Sequence, residues 1–407
     1  MNKDNSISMF GFFTLWFGAS VSVAEILTGG LLAPIGFRAG LLTIVLGHMI
    51  GTGILVLGGI IGTEERLPSI ASTGTTFGAY GTCLFSVLNV LQLLGWTAVM
   101  IISGARSVNE ISKTLWAFDN IRLWSVIIGG LICLWVLMGK AGWKKLNSAA
   151  VILLFLLTLL LSAVVFKNGK VFTTVAAGGI SFGSAVELSV IMPLSWLPLI
   201  GDYTRYAERK RDGAVGSYLG YFIGSSWMYT IGLAAAISTG NSDPGTMLLA
   251  AGFGFTALGI VVLSTVTTTF LDAYSAGVSF LNLLPRLKER HIALAMGIAG
   301  TLIALAAPIE EYENFLYAIG SVFAPLFAVV LTDYFLIMKD RKQREGLLIN
   351  WGAVLVWAAG VIMYYQFIKL DFLLGATVPV MILTSAAYLI MWRFTRKWKL
   401  LKKHQSY

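Results

Sequence analysis

Charge is scarce in this 407-residue sequence: only 12% of it is Asp, Glu, Lys or Arg while 57% is hydrophobic, against about 25% charged residues in a soluble domain. A soluble core cannot enclose that much apolar surface. Cysteine is nearly absent, and Cys83 and Cys133 each lie inside an apolar run, which argues against a disulfide framework or a Cys-based metal site. Histidine is as rare. His48, His291 and His404 are far apart and form no H-E-x-x-H pair or other ligand spacing, so metal catalysis has no visible home. Linkers, low-complexity blocks and soluble inserts are missing too. Apolar stretches recur from Met9 to Trp392, so a single cleaved secretory signal does not explain them.

Apolar runs long enough to cross about 30 Å of hydrocarbon predict twelve helices, near residues 9–35, 39–61, 82–107, 123–138, 149–166, 182–200, 215–239, 256–284, 291–307, 312–338, 349–367 and 373–394. The expected fold is an all-α membrane protein of one domain spanning residues 1–407. With the N-terminus inside, most Lys and Arg residues fall on the inner side, concentrated at Arg205–Arg211, Arg286–Arg290, Lys339–Arg344 and the tail from Arg393 to Lys403. The positive-inside rule then predicts a multi-pass protein of the cell membrane with both termini cytoplasmic. The net charge of +9 therefore reports orientation and not nucleic acid. No obligate protein partner is inferred. The loop near Gly62–Gly81 is compatible with a short lateral helix or with an unstructured connection.

Two runs look broken. In the first, Gly18-Ala19-Ser20-Val21-Ser22 replaces the Leu and Ile expected at midspan, and Glu25 follows. Such backbone is tolerated in a membrane only where it is buried in protein or lines a wet cavity, although close helix packing through small residues produces the same composition. In the sixth, Pro193 and Pro198 flank Leu194-Ser195-Trp196-Leu197, removing two backbone donors and precluding a straight helix. Interruptions at matching positions of two halves point to a transporter's midplane site.

These residues resemble a known family, the nucleobase:cation symporters. Leu15-Trp16-Phe17-Gly18 resembles its first helix, Trp96 with Gly104-Ala105 and Asn109-Glu110-Ile111 its third, and Ser195-Trp196 its sixth. Thr267-Thr268-Thr269 resembles the eighth and Pro325 with Asp333-Tyr334-Phe335-Leu336 the tenth. Within the family, Ser195-Trp196-Leu197-Pro198 leading into Gly201-Asp202-Tyr203-Thr204-Arg205-Tyr206 looks most like the bacterial branch assigned to hydroxymethylpyrimidine, a thiamine precursor. The resemblance implies an inverted repeat of five plus five helices, about 9–166 and 182–338, with two extra helices at about 349–394, working by alternating access. It also implies that Trp96 and Trp196 sandwich the substrate ring, and that sodium sits between first-helix carbonyls of Gly18 and Val21 and groups on Ser264, Thr267 and Thr268. There are two departures: a third-helix Gln that touches substrate in the family is Met100 here, and an eighth-helix Asn falls beside Asp272 and Ala273.

The chemistry of the residues agrees. Ser264, Thr267, Thr268 and Asp272 fall at i, i+3, i+4 and i+8, one helical stripe. Hydroxyls of this kind often only satisfy backbone carbonyls, but they are also hard oxygen ligands suited to a hard cation. A carboxylate at midspan is expensive and usually marks a pathway or site, which ranks Asp272 first, then Glu25, then Glu187. Trp96 shares a helical face with Asn89, Gln92 and Ser103, a face expected to line a cavity. Most other tryptophans, Trp116, Trp124, Trp143 and Trp351 among them, suit interfacial belts. Asp202 and Asp333, beside Arg205 and Lys339, read as local pairs or caps. The candidate substrate residues are Trp96, Trp196, Ser195, Asp272, Gln92, Ser22 and Glu25.

The leading expectation is a secondary importer of a small nitrogen heterocycle, an aminopyrimidine such as hydroxymethylpyrimidine, coupled to sodium or to a proton and needing no other cofactor. Cytosine, purine and hydantoin permeases are the alternatives. An intramembrane enzyme would need a nucleophile and base or a metal cluster at matched depth. A channel would need a repeated filter or charged ring. Neither pattern is present.

Overall fold

The computed structural model describes residues 6–167, 169–172, 178–241, 243–250, 254–306, 312–337 and 347–404. Among these the structure is helical throughout, apart from an isolated bridge between Ile7 and Ala207. The helices are α1 (Met9–Ser20), α2 (Val23–Leu31), α3 (Phe37–Glu65), α4 (Ser69–Ser72), α5 (Gly74–Phe77), α6 (Ala79–Trp116), α7 (Ile121–Phe166) and α8 (Phe182–Ser195). They continue with α9 (Ile200–Thr204), α10 (Lys210–Thr239), α11 (Pro244–Ala250), α12 (Gly254–Leu281), α13 (Glu289–Ala306), α14 (Tyr312–Thr332), α15 (Trp351–Leu370) and α16 (Thr377–His404). Eight helices among the described residues are long and apolar enough to cross a membrane, and nine if the bent first pair counts as one span.

The outside of the bundle carries Leu91, Leu302, Leu355 and Ile362, all exposed, while Ser, Thr, His48 and the carboxylates of Glu25, Glu187, Asp202, Asp272 and Asp333 lie inside. This inversion of the soluble pattern follows from a lipid surroundings, in which helix association depends on tight packing and internal hydrogen bonds. Close approach is achieved with glycine. A Cβ on Gly51 of α3 would strike Pro193 and the Val190 carbonyl of α8, and one on Gly224 of α10 would strike the Ser20 hydroxyl of α1.

Both expected breaks are visible. The first run bends by 61° between Ser20 and Val23, where Ser22 caps α2 by accepting the Glu25 N–H at 3.3 Å. The sixth run leaves helical geometry after Ser195, with tighter i→i−3 bonds at Trp196, Leu197 and Leu199 carrying the chain around Pro198 into α9. The loop near Gly62–Gly81 forms two short helices, α4 and α5.

Other expectations shift. The runs expected at 123–138 and 149–166 belong to one 46-residue helix, roughly twice the thickness of the hydrocarbon at about 1.5 Å per residue. The connecting segment holds Gly139 and Gly142 but no proline, so no residue in it removes a backbone donor and forces a break. A short helix, α11, occupies the connection after α10. The C-terminal pair α15 and α16 packs on α14 and reaches α8 through Glu187, which accepts from Tyr364 at 2.5 Å, Thr377 N–H at 2.8 Å and Thr377 Oγ1 at 2.6 Å. Asp202 accepts from the Ser69 N–H at 3.2 Å. Asp333 accepts from Thr76 and Tyr388, each at 3.0 Å. Lys339 and the side chain of Trp143 lie outside the described residues, whereas Trp116 and Trp351 are exposed on the bundle surface.

Candidate functional site

The two breaks face one another across the middle of the bundle, and a cavity lies between them. It is lined by Ser22, Ala24 and Glu25 of the first break, Met192, Ser195 and Trp196 of the sixth run, Trp96 and Met100 of α6, and Thr268 and Asp272 of α12. Seven of the predicted residues thus meet around one space. It is tight, about 20 Å³, room for about one water, so a ring enters only when the walls part.

Each indole is braced from behind. Trp196 packs edge-on against Trp16 with centroids 5.6 Å apart, and Trp16 is itself in edge contact with Tyr203 and Tyr221 at 6.0 Å. Trp96 rests on Phe315 at 5.4 Å and on Tyr312 at 6.1 Å. Edge-to-face packing of this kind fixes ring planes. It leaves the remaining indole surfaces available to a planar ligand.

The break in the first run frees specific carbonyls. Ser22 N–H turns back to Ser20 O at 3.0 Å and so misses Gly18 O, its helical partner. Glu25 N–H goes to the Ser22 hydroxyl and so misses Val21 O. The Ser264 hydroxyl donates to that Val21 carbonyl at 2.8 Å, and the Thr268 hydroxyl donates to Ala19 O at 3.4 Å. Freed carbonyls and hydroxyls therefore converge where the bent helix meets α12, offering neutral oxygens of the kind a hard monovalent cation takes.

Three expectations about orientation need correcting. Thr267 is only partly buried, and its hydroxyl bonds back to Leu263 O at 2.8 Å and Ser264 O at 3.1 Å; the inward stripe is Ser264, Thr268 and Asp272, because i, i+4, i+8 tracks one face more closely than i+3. Gln92 does not line the cavity: its amide donates to Ser195 O at 2.8 Å, while its buried carbonyl oxygen has no partner among the described residues. Asn89 donates to Ser279 at 2.8 Å. The polar face of α6 thus ties helices together, with Trp96 and Met100 reaching the cavity.

The two carboxylates differ. Glu25 accepts from Tyr221 and Ser225 of α10, both at 2.7 Å. Asp272 is 4% exposed and makes no side-chain hydrogen bond among the described residues. An ionised carboxylate at this depth costs several kcal/mol unless it is paired or wet, and Asp272 lies on the cavity wall. The sequence reading missed Tyr221, Ser225 and His48, which surround Glu25. The one signal was a histidine in the middle of the apolar, glycine-rich helix α3.

Residues 2–391 match the family described as "Permease for cytosine/purines, uracil, thiamine, allantoin". The chain belongs to this family. The cytosine permease of Escherichia coli (strain K12) is 24% identical over 359 residues, which cover 84% of this chain and 82% of that one. Among solved structures, Mhp1 in its inward-facing conformation superposes with a TM-score of 0.80 at 18% identity, over 98% of this chain and 94% of that one. Mhp1 as a nucleobase-cation-symport-1 family transporter in a closed conformation with bromovinylhydantoin bound gives 0.79 at 19% identity, over 97% and 96%. A sodium-coupled sialic acid symporter gives 0.67 at 10% identity, over 93% and 88%. These relatives are permeases and symporters and not enzymes. The protein is accordingly a multi-pass membrane transporter of the nucleobase–cation symporter type.

Proposed function

We propose that this permease imports a planar, amine-bearing nitrogen heterocycle, hydroxymethylpyrimidine or a related aminopyrimidine, by cation-coupled alternating access. The observation that carries the reading is the pairing of two braced indoles with an unpartnered carboxylate on one cavity. Trp96 and Trp196 bind the ring faces, which selects for planarity and not for ring identity. Asp272 takes the exocyclic amine and a protonated ring nitrogen through two charge-assisted hydrogen bonds. Ser22, Ser195 and Glu25 complete the polar wall, and Gln92 holds the Ser195 carbonyl in place. Sodium binds where the freed Gly18 and Val21 carbonyls meet Ser264 and Thr268, with Thr267 at the margin.

The working architecture is two repeats at about 9–166 and 182–338, two further helices at about 349–394 and both termini cytoplasmic. Cation binding at the junction of α2 with α12 holds the first run in its broken form, whose Ser22 and Glu25 make one wall of the slot, so ion and substrate stabilise the same closed state. A cytosine, purine or hydantoin substrate is the second reading, favoured by the family's breadth and by the tolerance of stacking. Counterflow in proteoliposomes, with thiamine precursors, cytosine, purines, uracil and hydantoins offered with and without sodium, tests both. Exchange of thiamine-precursor aminopyrimidines in preference to cytosine supports the first reading. Exchange of hydantoins or purines alone overturns it.

A further inference from the structure

The His48 ring lies on α3 behind Glu25, and their hydrogen bonds can be counted. His48 Nδ1 is 2.9 Å from Ile44 O, a carbonyl that only accepts, so Nδ1 carries a hydrogen. His48 Nε2 is 2.6 Å from Ser225 Oγ, and Ser225 Oγ is 2.7 Å from Glu25 Oε2. Glu25 Oε1 accepts from Tyr221 at 2.7 Å. The Ser225 hydroxyl has one hydrogen and two neighbours that need one. If it points to Nε2, the contact to Glu25 requires a protonated carboxyl; if it points to Oε2, the contact to His48 requires an Nε2–H. Either way the chain of three is satisfied only by one additional proton shared between Glu25 and His48.

We propose that His48, Ser225 and Glu25 form a proton-binding relay that must be loaded for the slot to close on substrate. The proton passes when the Glu25 O–H breaks toward Ser225 Oγ while the Ser225 hydrogen moves to His48 Nε2, leaving carboxylate and imidazolium with no net change in charge. When the proton is lost altogether, lone pairs face each other across a buried contact of 2.6 or 2.7 Å. A net negative charge then stands beside Asp272 in the same cavity. The pin that ties α2 to α3 and α10 is broken, and α2 supplies Ser22, Ala24 and Glu25 to the slot wall. Other titratable groups nearby do not replace the proton. Tyr229 of α10 lies edge-on to the His48 ring at 4.6 Å and donates to Leu188 O. Tyr312 of α14 is paired with Thr28 at 2.7 Å. On α8 and α9, Glu187 and Asp202 are held by Thr377 and Ser69, and Tyr203 donates to Leu271 O.

This rests on the permease reading of the slot and adds a second coupling ion to it. The test is substrate binding to purified protein at saturating sodium from about pH 6 to about pH 8, using a ring with no titratable nitrogen in that range, for the parent and for His48→Gln, which keeps a fixed donor toward Ser225. Parent affinity is expected to fall as pH rises, by up to about tenfold per pH unit for one linked proton, and the His48→Gln profile to be flat. Proton uptake on substrate addition to weakly buffered parent protein supplies a reading that needs no variant. A pH-independent parent affinity with no proton uptake, or an unchanged slope in His48→Gln, overturns the relay. Absence of binding by any heterocycle would instead overturn the permease reading.

Discussion

The Ser264 hydroxyl of α12 donates to the Val21 carbonyl at 2.8 Å, and that carbonyl is free because Glu25 N–H has turned to the Ser22 side chain. A local capping event thereby sets the spacing between the bent helix and α12. Ser264→Ala combined with Thr268→Val removes both inward hydroxyls, and sodium stimulation of substrate binding is expected to disappear while saturating substrate still binds. Thr267→Ala, whose hydroxyl serves its own helix, is expected to change sodium dependence much less. Isothermal titration of substrate at several sodium concentrations checks both. Equal effects of the two sets would return Thr267 to the ion site, and a parent indifferent to sodium would remove the site.

Trp96→Ala and Trp196→Ala each delete one wall of the slot. Stacking of a base on an aromatic side chain contributes about 1 to 3 kcal/mol, so affinity is expected to fall by about tenfold or more in each, with expression and monodispersity retained. Trp16→Phe, which keeps a ring behind Trp196 but shrinks it, is expected to cost less than Trp196→Ala. Unchanged affinity in both alanine variants would move the pocket elsewhere.

Glu187 illustrates how far sequence alone reaches. Its position in an apolar run raised it as a functional carboxylate, but it accepts three hydrogen bonds from Tyr364 and Thr377 and stands apart from the slot. Partners about 180 residues away are invisible to local pattern. The breaks at Ser20–Val23 and Ser195–Ile200 were legible because glycine, serine and proline act on the backbone where they stand. The inward stripe was legible except at Thr267, whose i+3 position turns it away from the face that i, i+4 and i+8 share. His48 was overlooked because its role depends on Ser225, on another helix.

The same hub supplies a stability prediction. Glu187→Gln places an amide where three donors converge, and the loss is expected to be about 1 to 3 kcal/mol, the cost of leaving a buried donor unpaired. Tyr364→Phe removes one donor and is expected to lose about 0.5 to 1.5 kcal/mol. Thermal unfolding in detergent should register both, with substrate affinity unchanged in the folded fraction. A fall in affinity without a fall in stability would place Glu187 in transport itself.

Asp272 decides between ring classes. Its carboxylate lines the slot one helical turn beyond Thr268 and lacks a partner among the described residues, so whatever occupies the slot must answer it. An aminopyrimidine does so with an exocyclic amine and a protonated ring nitrogen. Asp272→Asn preserves shape but replaces one acceptor oxygen with a donor amide. Aminopyrimidine binding is then expected to weaken by about 1.5 to 3 kcal/mol, the scale of a hydrogen bond to a charged group, while uracil, which offers carbonyls, loses little or gains. Binding of the amine-bearing ligand to the parent should also weaken as pH rises and its ring nitrogen sheds the proton. Because that proton belongs to the ligand, this dependence should survive His48→Gln, whereas the relay's should not. Titration calorimetry of both ring types against parent, Asp272→Asn and His48→Gln separates the contributions. Equal losses for the two rings in Asp272→Asn, or no loss for either, would make Asp272 structural and leave the reading of the ring edge to Glu25 and the backbone at the breaks.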